Sequence, residues 1–378
     1  MTSEERRNAR YLRRKKKREE KKQKYAKYND FDWVFSYEHL YMAYRRSKKN
    51  VRWKASTQKY IDLAPLNVFR TFIKLKKGKY KSKGFYEFSI IERGKKRHIR
   101  SVLIDERVVQ RCLCDYCLVP LLSRTFIYDN GASVKNKGYH FARKRIVRFL
   151  KRHVSRYGSS GYVLTYDFSQ FFDNIPHKLC KDILRENVTD QRIIELTDHF
   201  IDAFGEKGLG LGSQISQIFA LASANRLDHY FKEILGMREY ARYMDDGCMI
   251  HISKEYLQKC KIELEKQCDK YGITLNKSKT QIVKLSHGFT WLKTKFNILP
   301  SGRILKRLVR KSVKIMRQKL IKFTDFLDDG RLNVKDIYMS FQSWRAYARS
   351  FDAYRSINKL EELFKELYGL TSKQASLI

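Results

Sequence analysis

The period of the apolar positions changes along this chain, and the changes divide it into elements. Residues 1–29 contain almost no core-forming side chains, so no buried face can be built from them. Aromatic residues begin at Phe31, and Tyr37, Tyr41 and Tyr44 recur at i, i+4 and i+7, which predicts one packed face of a helix. Phe85–Ile91 alternates as a strand, Arg97–Leu103 returns as a second, and Glu92–Lys96 makes the turn. A helix opens at Glu106, and a helix-like run covers Val108–Leu122. Gly161–Tyr166 is β-rich and mostly apolar, the pattern of a buried strand. Glu239–Met244 and Cys248–Ile252 flank a tight acidic turn and together predict a β-hairpin. Helices are predicted over Ile218–Phe231 and Leu264–Gly272, after which Ile273–Thr280 runs back toward the sheet. Beyond the break at Pro300-Ser301-Gly302, residues Arg303–Phe326 place Leu305, Leu308, Val313, Met316, Leu320 and Phe323 in a helical pattern. Ile337–Ala348 and Tyr354–Leu367 predict two further helices.

Charge adds a partner to this picture. Lys and Arg number 80 against 40 Asp and Glu, a formal net charge of +40. Such a chain should bind polyanions by releasing counterions from phosphates, although basicity alone does not separate an enzyme from a ribosomal or coat protein. The run Arg13–Arg18, with Arg6-Arg7 and Lys21-Lys22, makes residues 1–29 a basic arm, either helical when docked on RNA or DNA or a solubilising tail. No run of about 18 apolar residues appears, so no membrane-spanning helix and no membrane partner are expected. The N-terminus lacks an apolar signal core. The seven cysteines are an odd, scattered set with no disulfide spacing. Cys112, Cys114 and Cys117 lack a distal pair to complete a metal site and read as buried thiols in a reducing, cytoplasmic setting.

Candidate chemistry sits in three carboxylates. Asp245 and Asp246 occupy the acidic turn, where side-by-side charges repel unless cations lie between them. Hard divalent ions choose carboxylate oxygen. Asp167 ends the buried strand, and pairing of that strand with the hairpin would bring it beside the other two. Three carboxylates can hold two metal ions about 3.5–4 Å apart, the arrangement that nucleotidyl transfer needs. A plainer reading makes Asp167 a cap for the helix after it, and the two roles are compatible.

At these residues the chain resembles the reverse transcriptases. Val163–Phe172 is similar to the first palm motif, Leu211–Gln217 to the nucleotide-pocket motif and Tyr243–Asp246 to the metal-binding hairpin. The three occur in the family's order, and the resemblance covers roughly residues 80–300. It implies an α+β right-hand polymerase with fingers, a ferredoxin-like antiparallel palm and a helical thumb. It implies two Mg2+ ions, with Mn2+ admitted, held by Asp167, Asp245, Asp246 and the Phe168 backbone, and it implies dNTPs, an RNA template and a DNA or RNA primer as partners. Phe172, five positions after Asp167, takes the place of an aromatic that clashes with a 2′-hydroxyl, with core packing as the other reading. Basic residues of the fingers contact the triphosphate in that family, for which Lys96, Arg100 and Arg107 are the candidates here; otherwise they belong to the general basic surface. Leu211, Gly212 and Gln217 belong to the nucleotide pocket. Lys279 matches a lysine that protonates the leaving pyrophosphate, a phosphate contact or a solvated lysine being the alternatives. His287–Phe296 resembles the primer-grip hairpin, with Phe289, Trp291 and Leu292 as its candidates.

The pocket motif departs from the common pattern. Many members begin it with Gln and end it with Ser-Pro; here Leu211 comes first and Ser216-Gln217 last. This variant is similar to the enzymes of diversity-generating retroelements, which copy with errors at template adenines, and an apolar Leu211 cannot hydrogen-bond sugar or template as Gln does. The resemblance therefore implies a bacterial or phage-encoded enzyme making cDNA from a dedicated RNA. The same variant occurs in bacterial phage-defence reverse transcriptases acting with a non-coding RNA, and a small basic accessory protein suits the retroelement. From another class, a non-catalytic RNA-binding or maturase-like scaffold stays open. The expected organisation is a basic arm over 1–29, N-terminal helices and fingers over 30–160, palm with primer grip over 161–300 and thumb over 301–378.

Overall fold

The computed structural model describes residues 3–92 and 94–369; Arg93 of the expected turn and the two chain ends lie outside the described residues. The basic segment forms one helix, Ser3–Ala26, with no buried residue among its described side chains. Burial starts at Phe31, as the aromatic pattern predicts. Helices Tyr37–Ser47, Ala55–Asp62 and Ala64–Lys76 follow, and the first is capped by the Ser36 hydroxyl, which accepts from His39 N. Tyr44 is buried, and Tyr37 and Tyr41 pack half-buried against the same core.

The next two strands are β1 (Tyr86–Glu92) and β2 (Lys95–Ser101), paired antiparallel. Their turn is tighter than expected. Glu92 pairs with Lys95 and Ile91 with Lys96, so residues placed in the turn by their polarity extend the ladder instead. An exposed hairpin has no buried face to mark where its strands end. The run Ile104–Ser123 is helical throughout, with one π-helical turn at Cys114–Leu118, and all seven cysteines are buried free thiols.

The central sheet contains β3 (Tyr162–Tyr166), β4 (Tyr240–Tyr243), β5 (Asp246–His251) and β6 (Gln281–Lys284) in the spatial order β4-β5-β3-β6, antiparallel throughout. Helices separate β3 from β4 and β5 from β6, the βαββαβ order of a ferredoxin-like sheet. Successive strand residues bury opposite faces. Val163, Ala241, Cys248 and Ile250 meet Ala142, Ile146, Phe149 and Leu150 of helix Tyr139–Tyr157. Leu164, Tyr166, Tyr240 and Met249 share the main core with Leu227, Phe231, Leu257 and Leu264 of the two crossover helical segments. Burial on both faces explains why these strands read as continuous apolar runs. Gly247 lies opposite Tyr166, and a Cβ added there would come within 2.1 Å of the tyrosine ring. The glycine lets that ring cross the neighbouring strand.

A second sheet has the order β7 (Phe289–Trp291), β8 (Thr294–Ile298), β9 (Ile304–Leu308). Here the sequence expectation is corrected: residues 304–308 are a strand, and the helix starts only at Arg310. Ile304 and Leu308 pair with Ile298 and Thr294, and Pro300-Ser301-Gly302 is the hairpin turn that permits it, with Gly302 at φ +77. Leu305 and Leu308 have helical spacing, but the preceding strand supplies backbone partners that spacing does not reveal. Helices Arg310–Asp328, Val334–Ala348 and Tyr354–Tyr368 close the chain around Leu320, Ile337, Phe341 and Phe364. Among the described residues no helix is long and apolar enough to cross a membrane.

Candidate active site

Strand pairing draws the three carboxylates together. Tyr166 pairs with Gly247, and Phe168 N donates to Asp245 O at 3.3 Å, so Asp167 follows β3 directly beside the β4–β5 turn. On its other side, Asn276 N donates to Asp167 O at 2.8 Å and Ser169 N to Thr274 O at 2.8 Å. The Phe168 backbone thus faces the turn, and the segment returning from helix Lys254–Tyr271 pins Asp167 from behind.

Met244 and Asp245 alone connect β4 to β5. Met244 has φ +57, a left-handed conformation that costs a non-glycine residue about 1–2 kcal/mol. Beneath it lies a guanidinium. Arg242 donates to Met244 O at 2.7 Å and Leu221 O at 3.2 Å, and it grips Asp228 through Nε (2.8 Å) and Nη2 (2.7 Å). Both side chains are fully shielded from water. The Tyr240 hydroxyl adds a 2.5 Å bond to Asp228, and Tyr166 bonds Tyr240 at 2.7 Å. Burial alone disfavours the Arg242 charge, but the field of Asp228 outweighs it and keeps the guanidinium firmly protonated. The sequence held a signal of this pair, since Arg242 interrupts an apolar strand and Asp228 an apolar helix, but neither entered the candidate set.

Asp245 and Asp246 resist ionisation. Burial first, then the charge of Asp245 and of Asp167, pushes Asp246 up to about 7. Burial, with Asp167 adding, raises Asp245 as well. Lys279 donates to Asp167 Oδ2 at 2.8 Å, and that bond, with the fields of Asp246 and Asp245, raises its own pKa. Among the described residues no three His, Cys, Asp or Glu side chains converge closely enough to cage an ion, and one Asp167 oxygen is committed to Lys279. The donor chemistry nevertheless fits hard divalent cations: oxygen ligands, half-buried, each opposing the next one's charge.

The other candidates divide. Phe172 is half-buried beside buried Phe171, and its carbonyl accepts from Leu209 N at 2.7 Å. Leu211 O accepts from Arg100 N at 3.1 Å, and Gly212, at φ +110, lies against the Arg100 backbone, so the exposed hairpin touches the pocket motif. Ser213 caps the following helix and bonds Gln110, while Gln217 is exposed. The Arg100 guanidinium binds Phe204 O at 2.6 Å and Glu87 at 3.0 Å. Arg107 binds Ser101 Oγ, and burial lowers its pKa. Lys96 is exposed farther along β2. Phe289 and Trp291 are buried in the core and anchor β7 from within, which leaves Leu292 and exposed Lys293 at the hairpin turn. Lys293 was missed by sequence reasoning; its charge acts on Asp246.

Residues 75–326 match the family model described as reverse transcriptase (RNA-dependent DNA polymerase). Similar solved structures include telomerase from Candida albicans with a TWJ fragment of telomeric RNA (TM-score 0.48, 13% identity, 78% of this chain and 61% of that one). Apo telomerase from Candida tropicalis is similar at TM-score 0.47 and 15% identity, over 81% of this chain and 64% of that one. The chain thus spans about three fifths of the length of these telomerases. No curated protein matches it.

Replacing Asp228 by Asn strands a buried guanidinium, so Asp228→Asn should cost about 3–5 kcal/mol in urea unfolding. The double variant Asp228→Leu/Arg242→Met should recover much of that stability while leaving Met244 O unheld. A single variant as stable as the parent would refute this role for the pair.

Proposed function

The chain belongs to the reverse transcriptase family, with a right-hand polymerase fold, and we propose that it is an RNA-directed DNA polymerase whose catalytic carboxylates are Asp167, Asp245 and Asp246. The observation that supports this reading is the backbone bond that sets the end of β3 beside the acidic turn, so that the charges of Asp167 and Asp245 both act on half-buried Asp246 while Lys279 bonds Asp167. Asp167 and Asp245 are the main metal ligands, and Asp246 ligates more weakly or orients its neighbours. Mg2+ suits the all-oxygen donors, with Mn2+ as a substitute. When bound, the divalent ions supply activation of the attacking hydroxyl and stabilisation of the leaving oxygen.

The chain's own residues do the positioning. A primer 3′-hydroxyl attacks the α-phosphate of a dNTP, the α–β phosphoanhydride bond breaks, and pyrophosphate leaves. Lys279 gives its proton to that pyrophosphate or holds its charge. Arg100, through its backbone bond to Leu211, ties the exposed hairpin to the nucleotide pocket. Phe172 stands as the barrier against a 2′-hydroxyl, and the basic C-terminal helices follow an RNA–DNA duplex.

The finer reading is a retroelement enzyme copying a dedicated RNA with low fidelity at adenine, partnered by a small basic protein. Its support is Leu211, which meets the neighbouring hairpin through its backbone and presents no side-chain amide to a template or sugar. A phage-defence role with a non-coding RNA shares this motif and carries no expectation of errors concentrated at adenine.

Purified protein should extend oligo-dT on poly-rA with Mg2+ and stop when EDTA removes the metal. Asp245→Asn should reduce extension on the order of 10³-fold, equivalent to several kcal/mol of lost charge stabilisation, while RNA affinity stays within about twofold. A variant that extends as well as the parent would remove Asp245 from catalysis. Phe172→Ala should raise ribonucleotide incorporation about tenfold or more relative to dNTP; an unchanged ratio makes Phe172 a packing residue only. Sequenced products should show errors concentrated opposite template adenine. An even error spectrum across the four bases refutes the retroelement reading and leaves the polymerase intact.

A further inference from the structure

The turn of the β7–β8 hairpin is strained. Leu292 and Lys293 link β7 to β8 with φ +46 and +54, so two consecutive non-glycine residues are left-handed. A turn of this hand matches the twist of paired strands, but it normally uses Asn or Gly. Each departure costs about 1–2 kcal/mol, and such strain persists only where the surroundings over-determine it.

Two residues of helix Tyr139–Tyr157 provide the restraint. The Tyr139 hydroxyl donates to Leu292 O and lies 3.1 Å from Thr294 Oγ1, and Thr294 is fully buried. One helical turn later, the Arg143 guanidinium lies 5.1 Å from the Tyr139 ring and 4.0 Å from the Phe351 ring. Arg143 donates to Ser350 Oγ at 3.0 Å and Ser350 O at 2.9 Å, and it is 4% exposed. Ser350 and Phe351 join helix Val334–Ala348 to helix Tyr354–Tyr368. The outer strand converges on the same joint, as Lys306 N donates to Asp352 Oδ2 at 2.7 Å. A continuous line of contacts therefore runs from the turn at 292 through Tyr139 and Arg143 to the C-terminal helices.

We propose that Tyr139 and Arg143 form a strut of positioning residues, which holds the Leu292–Lys293 turn against the primer terminus and couples it to the C-terminal helices that grip the duplex. Neither residue touches the reacting atoms. Tyr139 keeps the turn in its left-handed shape, and Arg143 makes the position of the C-terminal helices felt at that turn. The strut serves retention of the growing duplex between additions rather than binding of the incoming nucleotide. It rests on the polymerase reading above.

The test uses the full chain with oligo-dT on poly-rA. Tyr139→Phe keeps the ring beside Arg143 and removes only the hydroxyl, so folding should be undisturbed. With a trap of excess unlabelled duplex, the number of nucleotides added per binding event should fall, and the duplex Kd should rise, about 3- to 10-fold, the worth of one hydrogen bond. The KM for dTTP in single addition at saturating duplex should stay within about twofold. Arg143→Lys should shorten the products similarly, because an ammonium cannot make the forked pair of bonds to Ser350 while stacking on Phe351. In a Leu292→Gly background, where left-handed backbone carries no strain, Tyr139→Phe should cost less than in the parent. Unchanged product length in Tyr139→Phe, an equal change in the dTTP KM, or strict additivity with Leu292→Gly would each overturn the strut. If the parent binds duplex but never extends it, the polymerase reading fails, while the duplex Kd of Tyr139→Phe still decides the strut.

Discussion

An ion pair sealed from water, Arg242 with Asp228, governs the geometry on which the site depends. A charge in that position is tolerable only when it is paired and fully hydrogen-bonded. Arg242 meets the condition by spending its donors on Asp228, Leu221 O and Met244 O. The last of these bonds reaches the backbone of the carboxylate-bearing turn. The pair is thus more than a stabilising contact: it converts the fixed position of a core helix into a fixed position for Asp245 and Asp246. Tyr240 and Tyr166 extend the network across the sheet to β3, which carries Asp167 at its end. One buried polar system therefore touches both strands that present the acidic side chains.

Above this foundation the electrostatics run the other way. The foundation balances its charges internally, whereas Asp245 and Asp246 above it are frustrated by burial and by neighbouring carboxylate charge. Lys279 offsets part of the repulsion from Asp167. The remaining repulsion would be relieved by a bound cation, and the carboxylates stand as an acidic patch in a chain of net charge +40.

Helix Tyr139–Tyr157 organises the opposite face. Its apolar side packs under the central sheet and against Phe289, Trp291 and Phe296 of the second sheet. Arg145 on the same helix binds Asp129 at 2.5 Å, and the loop carrying Asp129 runs alongside β4, with Gly131 N bonded to Arg242 O. The loop thereby covers an edge that would otherwise present unpaired backbone groups. Gly131 is required at that place because a Cβ would come within 2.8 Å of the Ala142 Cβ.

Local pattern determined a good deal. Strand β3 and the 240–251 hairpin follow from short apolar runs, because both of their faces are buried, and the late helices follow from apolar periodicity, because each buries one face. The acidic turn stood out because a third carboxylate, Asp167, ends a buried strand able to pair with that hairpin. Periodicity failed where the partner lay elsewhere. Residues 304–308 carry helical spacing yet form a strand because β8 offers a free edge, and the ends of β1 and β2 were invisible because neither strand has a buried face. That Phe289 and Trp291 of the hairpin are buried was not legible either, since burial is a property of the assembled core. Arg242 with Asp228, and Tyr139 with Leu292, join positions 14 and 153 residues apart. Such pairings depend on distance in space, which the order of residues does not carry. The chain alone declared which side chains could do the chemistry; the folded structure decided which residues hold them in place.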